Sequence, residues 1–198
     1  MKVKARGTLR IIAGEDRGRR LASPSDNRIR PTPGMAREAI CSILQDRIPG
    51  SRFLDLYAGT GSVGLEALSR GAISVTFVES GREAIQLLRG NIAAMGRARD
   101  CHLKAAPAVE QCRLFTRMKQ RFDLVFVDPP YDDAGLPIRL LEPILEADGL
   151  LVFQRPERFP VGNPFHGTRL ECYDARRYGR AEFTFWRFPI GPVEALGD

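Results

Sequence analysis

The sequence has little of what metal and disulfide chemistry require. Its only histidines are His102 and His166, and Cys41, Cys101, Cys112 and Cys172 contain no C-x-x-C spacing. That pattern argues against a zinc site or a disulfide framework and leaves four reduced, mostly packed thiols. No apolar run approaches the ~20 residues of a membrane span, and the basic start is not followed by an apolar signal core. The expected setting is the cytoplasm, with no metal and no membrane partner. Internal repeats and low-complexity tracts are also missing, and 198 residues leave room for one α/β domain with a small appendage.

What is present is basic charge, and it is unevenly placed. Residues 1–37 hold ten Lys/Arg against Glu15, Asp16 and Asp26, so this segment carries +7 of a net +6 and the remainder sums to −1. A basic segment beside a neutral body points to a polyanion such as nucleic acid, with a merely soluble surface as the plainer alternative. Leu9–Ala13 and a short run around Leu21, separated by Gly14–Gly18, read as a β-hairpin studded with Arg10, Arg17, Arg19 and Arg20. These four arginines, with Arg30 and Arg37, are the candidate RNA contacts. The expected division is a basic arm over 1–32 and a catalytic domain over 33–198. Thr32 offers an N-cap with Pro33 at the first helical position, and the helix that follows should present Ala36, Ala39, Ile40, Ile43 and Leu44 to the body until Pro49-Gly50 ends it.

The stretch Phe53–Gly64, FLDLYAGTGSVG, reads as a buried strand that stops at a carboxylate and turns through glycines into a helix. Its spacing is G-x-G-x-x-G, and Glu79 ends the next strand, where it could accept hydrogen bonds from ribose hydroxyls. The three glycines should let backbone approach a ligand without Cβ obstruction. Asp55 would repel a pyrophosphate but hold a ligand carrying an ammonium, which favours S-adenosylmethionine over NAD. The candidate cofactor residues are Asp55, Tyr57, Gly59, Thr60, Gly61, Glu79, Ser80 and Ala106.

Strands over Ile73–Val78, Cys101–Ala105, Phe122–Val127 and Leu150–Phe153 alternate with helices to Arg70, over Arg82–Met95, around Ala108–Met118 and around Leu136–Leu145. Alternation of this kind means a parallel sheet. Arg169–Tyr178 and Ala181–Phe188 then read as an antiparallel hairpin, with Trp186 in the core. FDLVFV ends in Asp128-Pro129-Pro130-Tyr131, a second carboxylate at a strand's carboxyl end. An exocyclic amine on a purine is a poor nucleophile. Asp128 can accept one of its hydrogens and the Pro129 carbonyl another, while Pro129 and Pro130 fix the turn and Tyr131 offers a ring for a flipped base. The alternative is a turn that only terminates the strand.

With both motifs placed, the sequence resembles the RsmD family of 16S rRNA (guanine-N2)-methyltransferases. RIIAG, RGRRL, RPT followed by RE at Arg30–Glu38, FLDLYAGTGSVGLEALSRGA, Glu79 and DPPY stand in that family's order. The resemblance implies a Rossmann-like class I fold: a seven-stranded, mostly parallel sheet with an antiparallel C-terminal hairpin and an N-terminal hairpin extension. It implies S-adenosylmethionine as cofactor and methylation of one guanine N2 in small-subunit rRNA, on an assembled subunit and by a monomer. Asp55, Gly59 and Gly61 would face the methionine part, Glu79 the ribose, and Asp128–Tyr131 the target base. Ala106 stands where many relatives carry Asp or Asn toward adenine, Gly34-Met35 replaces a more polar pair, and Gln154 stands where relatives tend to have Glu. Three other readings compete: an adenine-N6 methyltransferase, an NAD-binding oxidoreductase, and a catalytically silent RNA-binding assembly factor.

Overall fold

The computed structural model describes residues 9–23, 34–130, 138–155, 165–179 and 181–190. Thr32, Pro33, Arg30 and Tyr131, all named above, lie outside these residues. Among the described residues the order is α1 (Gly34–Ile43), β1 (Arg52–Leu56), α2 (Ser62–Ser69), β2 (Ser74–Glu79), α3 (Arg82–Met95), β3 (Cys101–Ala105), α4 (Ala108–Arg117), β4 (Phe122–Val127), α5 (Ile138–Leu141), β5 (Leu145–Arg155), β6 (Glu171–Tyr178) and β7 (Ala181–Arg187).

The strands form one seven-stranded sheet in the order β3-β2-β1-β4-β5-β7-β6. β1 to β5 are parallel, and the last hairpin inserts β7 antiparallel between β5 and β6. Because β1 lies between β2 and β4, the chain first winds outward through β2 and β3 and then returns on the other side. The resulting crevice sits at the carboxyl ends of β1 and β4, where such sheets bind ligands. Apolar residues coat both faces, as a sheet covered on both sides requires. One core joins Phe53, Val75, Phe77, Leu124, Phe126 and Phe183 to α1, α2 and α3. The other joins Leu54, Leu56, Val125, Val127 and Trp186 to α4 and α5.

Two expectations are corrected. The helix expected around Leu136–Leu145 is only α5 followed by a 3-10 turn at Glu142–Ile144, and β5 begins at Leu145. Pro143 lies inside the expected helix and cannot donate to its ladder. The ladder with β4 then jumps from Phe122↔Leu145 to Leu124↔Leu150, so Glu146–Gly149 bulge out of register. Helix α1 gives way to turns after Ile43, and its buried stripe is Ala36, Arg37, Ile40 and Cys41, while Ile43 is exposed.

The basic arm forms the expected hairpin. Arg10 bridges Arg20, the N–H groups of Ile11, Gly18 and Leu21 donate to the carbonyls of Arg19, Ile11 and Leu9 across the turn, and the hairpin is bonded to the body as well. Ile12 and Ala13 donate their N–H groups to the carboxylate of Glu66 on α2 (2.8 and 2.9 Å). Ser69 accepts from the Asp16 N–H through its hydroxyl and from the Glu15 N–H through its carbonyl. A Cβ on Gly14 would lie 1.9 Å from the Ser69 carbonyl oxygen, so only glycine fits there. Ile11 and Leu21 enter the first core. With the arm laid over it, α2 is buried along its whole length.

Candidate active site

The loop after β1 is held in an unusual backbone path. Tyr57 has φ 65, an uncommon value for a side chain of its size, and Gly59 (φ 55) and Gly61 (φ 76) follow. Strain of this kind collects where a ligand is bound. The glycines divide their labour in a way the sequence did not show. A Cβ on Gly61 would meet Leu88 at 2.3 Å, and one on Gly64 would meet Phe77 at 2.4 Å and Val75 at 2.7 Å. These two therefore let α2 and α3 close on the sheet, which leaves Gly59 as the glycine for ligand approach.

Three carboxylates converge at the crevice. Asp55 is 2% exposed and accepts the Gly64 N–H (2.9 Å), so it also satisfies one of the orphan donors in the first turn of α2. Burial pushes its carboxyl well above the usual carboxylate range, and the charges of Asp128 and Glu79 push it further, against the pull of the Gly64 N–H. Glu79 accepts from Gly59 (2.8 Å) through one oxygen and from Ser80 (2.8 Å) and Gly81 (2.7 Å) through the other. It therefore ties the glycine loop to the start of α3, with lone-pair capacity left for a further donor. Asp128 is half-buried at the end of β4, and its N–H still reaches the Leu56 carbonyl (3.4 Å). Pro129 is buried and Pro130 exposed.

Thr60 is buried, and its carbonyl accepts from Asn91 on α3 (2.8 Å). The same amide exchanges two hydrogen bonds with Ala22 of the arm. Asn91 was not singled out from sequence, yet it joins arm and glycine loop directly. Ala106 donates its N–H to the Glu79 carbonyl (3.0 Å), so its methyl group is what it can offer to an adenine ring.

Arg37 is withdrawn as an RNA contact. Its side chain is 2% exposed, with Nη2 donating to the Arg10 carbonyl (2.6 Å) and Nε 3.7 Å from Glu66. Arg19 is exposed but engaged, pairing with Asp16 (2.9 Å) and donating to the Ala94 carbonyl. Arg10, Arg17 and Arg20 are exposed. A depression of about 550 Å³ runs along α4 and α5, lined by Glu110, Arg113, Thr116, Arg117 and Leu140. None of the strand-end carboxylates lines it, so it is not the cofactor site. Among the described residues no cluster of His, Cys, Asp or Glu is placed to hold a metal ion, and no helix is long and apolar enough to cross a membrane.

Comparison with known proteins decides the family. The family described as Conserved hypothetical protein 95 matches residues 9–187, from the arm to the last strand. The chain belongs to the RsmD family. Ribosomal RNA small subunit methyltransferase D of Haemophilus influenzae is 38% identical over 131 residues, which is 64% of this chain and 66% of that protein. The protein of the same name in Escherichia coli K12 is 38% identical over 63% of this chain and 61% of its own length. A solved structure of a hypothetical protein from Thermus thermophilus superimposes with a TM-score of 0.74 at 31% identity, covering 89% of this chain and 98% of that one. The RsmD match thus includes both the strand-end carboxylates and the arm that lies over α2.

Glu79→Ala is expected to weaken cofactor binding by about 1–3 kcal/mol, the range for leaving hydrogen-bond partners of a charged group unsatisfied. Three backbone donors lose their acceptor with it, so the loop should also exchange its amide hydrogens faster. Unchanged affinity in a calorimetric titration would remove Glu79 from the site.

Proposed function

We propose that this protein transfers a methyl group from S-adenosylmethionine to the exocyclic N2 amine of one guanine in small-subunit rRNA, presented on an assembled subunit. The observation that carries the reading is the meeting of three carboxylates at the ends of β1, β2 and β4, one of them fully buried and disfavoured as an anion. Such a group gains from a cationic ligand and would repel the pyrophosphate of NAD. Methyltransferase relatives in the same family support the same cofactor.

The bound cofactor supplies a methyl group already activated on a sulfonium. The chain's residues do the rest by positioning. Asp128 and the Pro129 carbonyl accept the hydrogens of the target amine, which turns its nitrogen lone pair toward the methyl carbon and stabilises the positive charge that develops there. Pro129 and Pro130 limit the freedom of that turn, and Tyr131 stacks on the base. The proton lost from the alkylated amine passes to Asp128 or to solvent.

Titration with S-adenosylmethionine and with NAD, followed by mass spectrometry of nucleosides from the methylated RNA, tests the reading. Binding of the first alone, with N2-methylguanosine as product, is expected. NAD binding contradicts the cofactor, and N6-methyladenosine contradicts the base.

Asp55 makes the binding pH-dependent. Its folded-state pKa is raised, so its contribution to stability is fully present below the ordinary carboxylate pKa and is lost as pH rises through the raised one. A cationic ligand favours the carboxylate and reverses the penalty. Cofactor affinity should therefore rise with pH and binding should release a proton, detectable by calorimetry in buffers of different ionisation enthalpy. Asp55→Asn should abolish the release attributable to this group; an identical release in the variant would assign it elsewhere.

The arm is the proposed recognition element. Replacing Arg10, Arg17 and Arg20 with Ala removes up to about three phosphate contacts, each contributing roughly 0.7–0.9 to the logarithmic salt slope. RNA binding should weaken and become less salt-sensitive, with cofactor affinity retained. An unchanged slope would move the RNA path to Arg30 or to Arg176 and Arg177.

A further inference from the structure

One acceptor beside the proposed amine site is left without a donor among the described residues. Val127 pairs with Phe153 in the parallel β4–β5 ladder, so the next residues, Asp128 and Gln154, are neighbours at the same sheet edge, about one strand spacing (~4.8 Å) apart. On its other side Gln154 stands opposite Phe183 of β7, which stands opposite Arg176 of β6. Directly opposite residues share a face of the sheet. Phe183 stacks on Phe126, two residues before Asp128, with ring centroids 6.5 Å apart, and Phe126 is in turn opposite Asp55. Asp55, Asp128 and Gln154 thus belong to one face, and the Coulombic effect of Asp128 on Asp55 agrees with this. Oε1 of Gln154 is buried and has no hydrogen-bond partner among the described residues. Its neighbours on that face, Val152 and Phe183, are hydrocarbon and supply none. Folded proteins retain few such atoms, because an acceptor stripped of water and given no donor is destabilising.

The missing donor has a source in the substrate. On its Watson–Crick edge guanine carries the N1–H directly beside the N2 amine, two donors side by side. Adenine carries a bare lone pair at N1 beside its N6 amine. Enzymes that act on a flipped base read that edge by hydrogen bonds. Two adjacent acceptors fit guanine and oppose adenine, since one would face the N1 lone pair. We infer that Gln154 is a specificity-determining residue, accepting the N1–H of the target guanine while Asp128 accepts from its N2 amine. The inference rests on the guanine-N2 reading given above. It assigns selection of the base to β5, whereas the chemistry lies on β4 and the phosphate contacts on the arm.

The test uses 2-aminopurine, which keeps the 2-amine but has no hydrogen at N1. Small subunits are reconstituted with rRNA carrying either guanine or 2-aminopurine at the position the wild-type protein methylates. The wild type should favour guanine roughly 10- to 100-fold, the effect of leaving one buried acceptor unpaired. Gln154→Met, similar in size but without the acceptor, should lose that preference by slowing on guanine alone, with cofactor affinity unchanged. Gln154→Glu, which keeps an acceptor oxygen, should retain the preference even if Gln154→Met does not fold. Equal slowing of Gln154→Met on both templates, or loss of the preference in Gln154→Glu, overturns the inference while leaving the reaction intact. N6-methyladenosine as the wild-type product overturns the reading and the inference together.

Discussion

Asp128→Ala is expected to lower the rate of methyl transfer about 10²–10³-fold, the usual effect of deleting one preorganised group that stabilises transition-state charge, while cofactor affinity stays close to wild type. Asp128 sits at the carboxyl end of β4, and removal of its side chain leaves the Glu79 and Asp55 contacts to the glycine loop in place. Asp128→Asn keeps one acceptor oxygen and should fall between the two. A second consequence separates a charge effect from a folding effect. The Asp128 charge helps to raise the Asp55 pKa, so in Asp128→Ala the rise of cofactor affinity with pH should move to lower pH. Single-turnover kinetics beside a pH series of titrations reads both. A near-normal single-turnover rate would end the catalytic role of Asp128.

The largest loss of stability is expected from Glu66→Ala, a residue outside the chemistry. Glu66 is 0% exposed. Its carboxylate accepts from Ile12, Ala13 and the Arg70 Nε, and stands opposite Arg37. Burial already pulls the Arg37 pKa below its ordinary value, and Glu66 is the main group opposing that pull. Deleting it strands a buried guanidinium and two backbone donors, a loss of about 3–5 kcal/mol, which is a large share of the ~5–15 kcal/mol typical of a domain. Adding Arg37→Met should recover part of it, since an unpaired buried cation costs more than a missing pair. Denaturant unfolding measures this; a loss under about 1 kcal/mol would mean that the arm is held by Ile11 and Leu21 instead. Through Asn91, which bonds both Ala22 and Thr60, loosening the arm should also reach the cofactor loop.

The parallel strands β1, β2, β4 and β5 were legible as short apolar runs, β3 (CHLKA) only from its place in the strand–helix alternation, and β1, β3 and β4 lie within a residue of the expected bounds. The strand-end carboxylates were legible for the same reason: a charge at the end of an apolar run faces the crevice of an open sheet. The helix before β5 was misread because apolar content was weighed above Pro143. Arg37 was misplaced through a phase error. The buried stripe keeps Ala36, Ile40 and Leu44 of the expected five and adds Arg37 and Cys41, whereas Ala39 is half-buried and Ile43 exposed. A lone Glu66 amid the otherwise uncharged S-V-G-L-E-A-L-S of α2 was the available signal that something polar would cover that helix. Asn91 gave no comparable signal, since its role comes from contacts across more than twenty residues of sequence, and Gln154 stood out only as a departure from the family resemblance, its place beside Asp128 coming from register.

The most direct test incubates the protein with methyl-labelled S-adenosylmethionine and small ribosomal subunits that lack the modification, then maps the label by nuclease digestion and mass spectrometry. The account predicts close to one methyl group per subunit, on the N2 of a single guanine of the small-subunit rRNA, with no incorporation by Asp128→Ala on the same time scale. Label on adenine, label spread over many positions, or no transfer by a protein that binds both cofactor and subunit would contradict it.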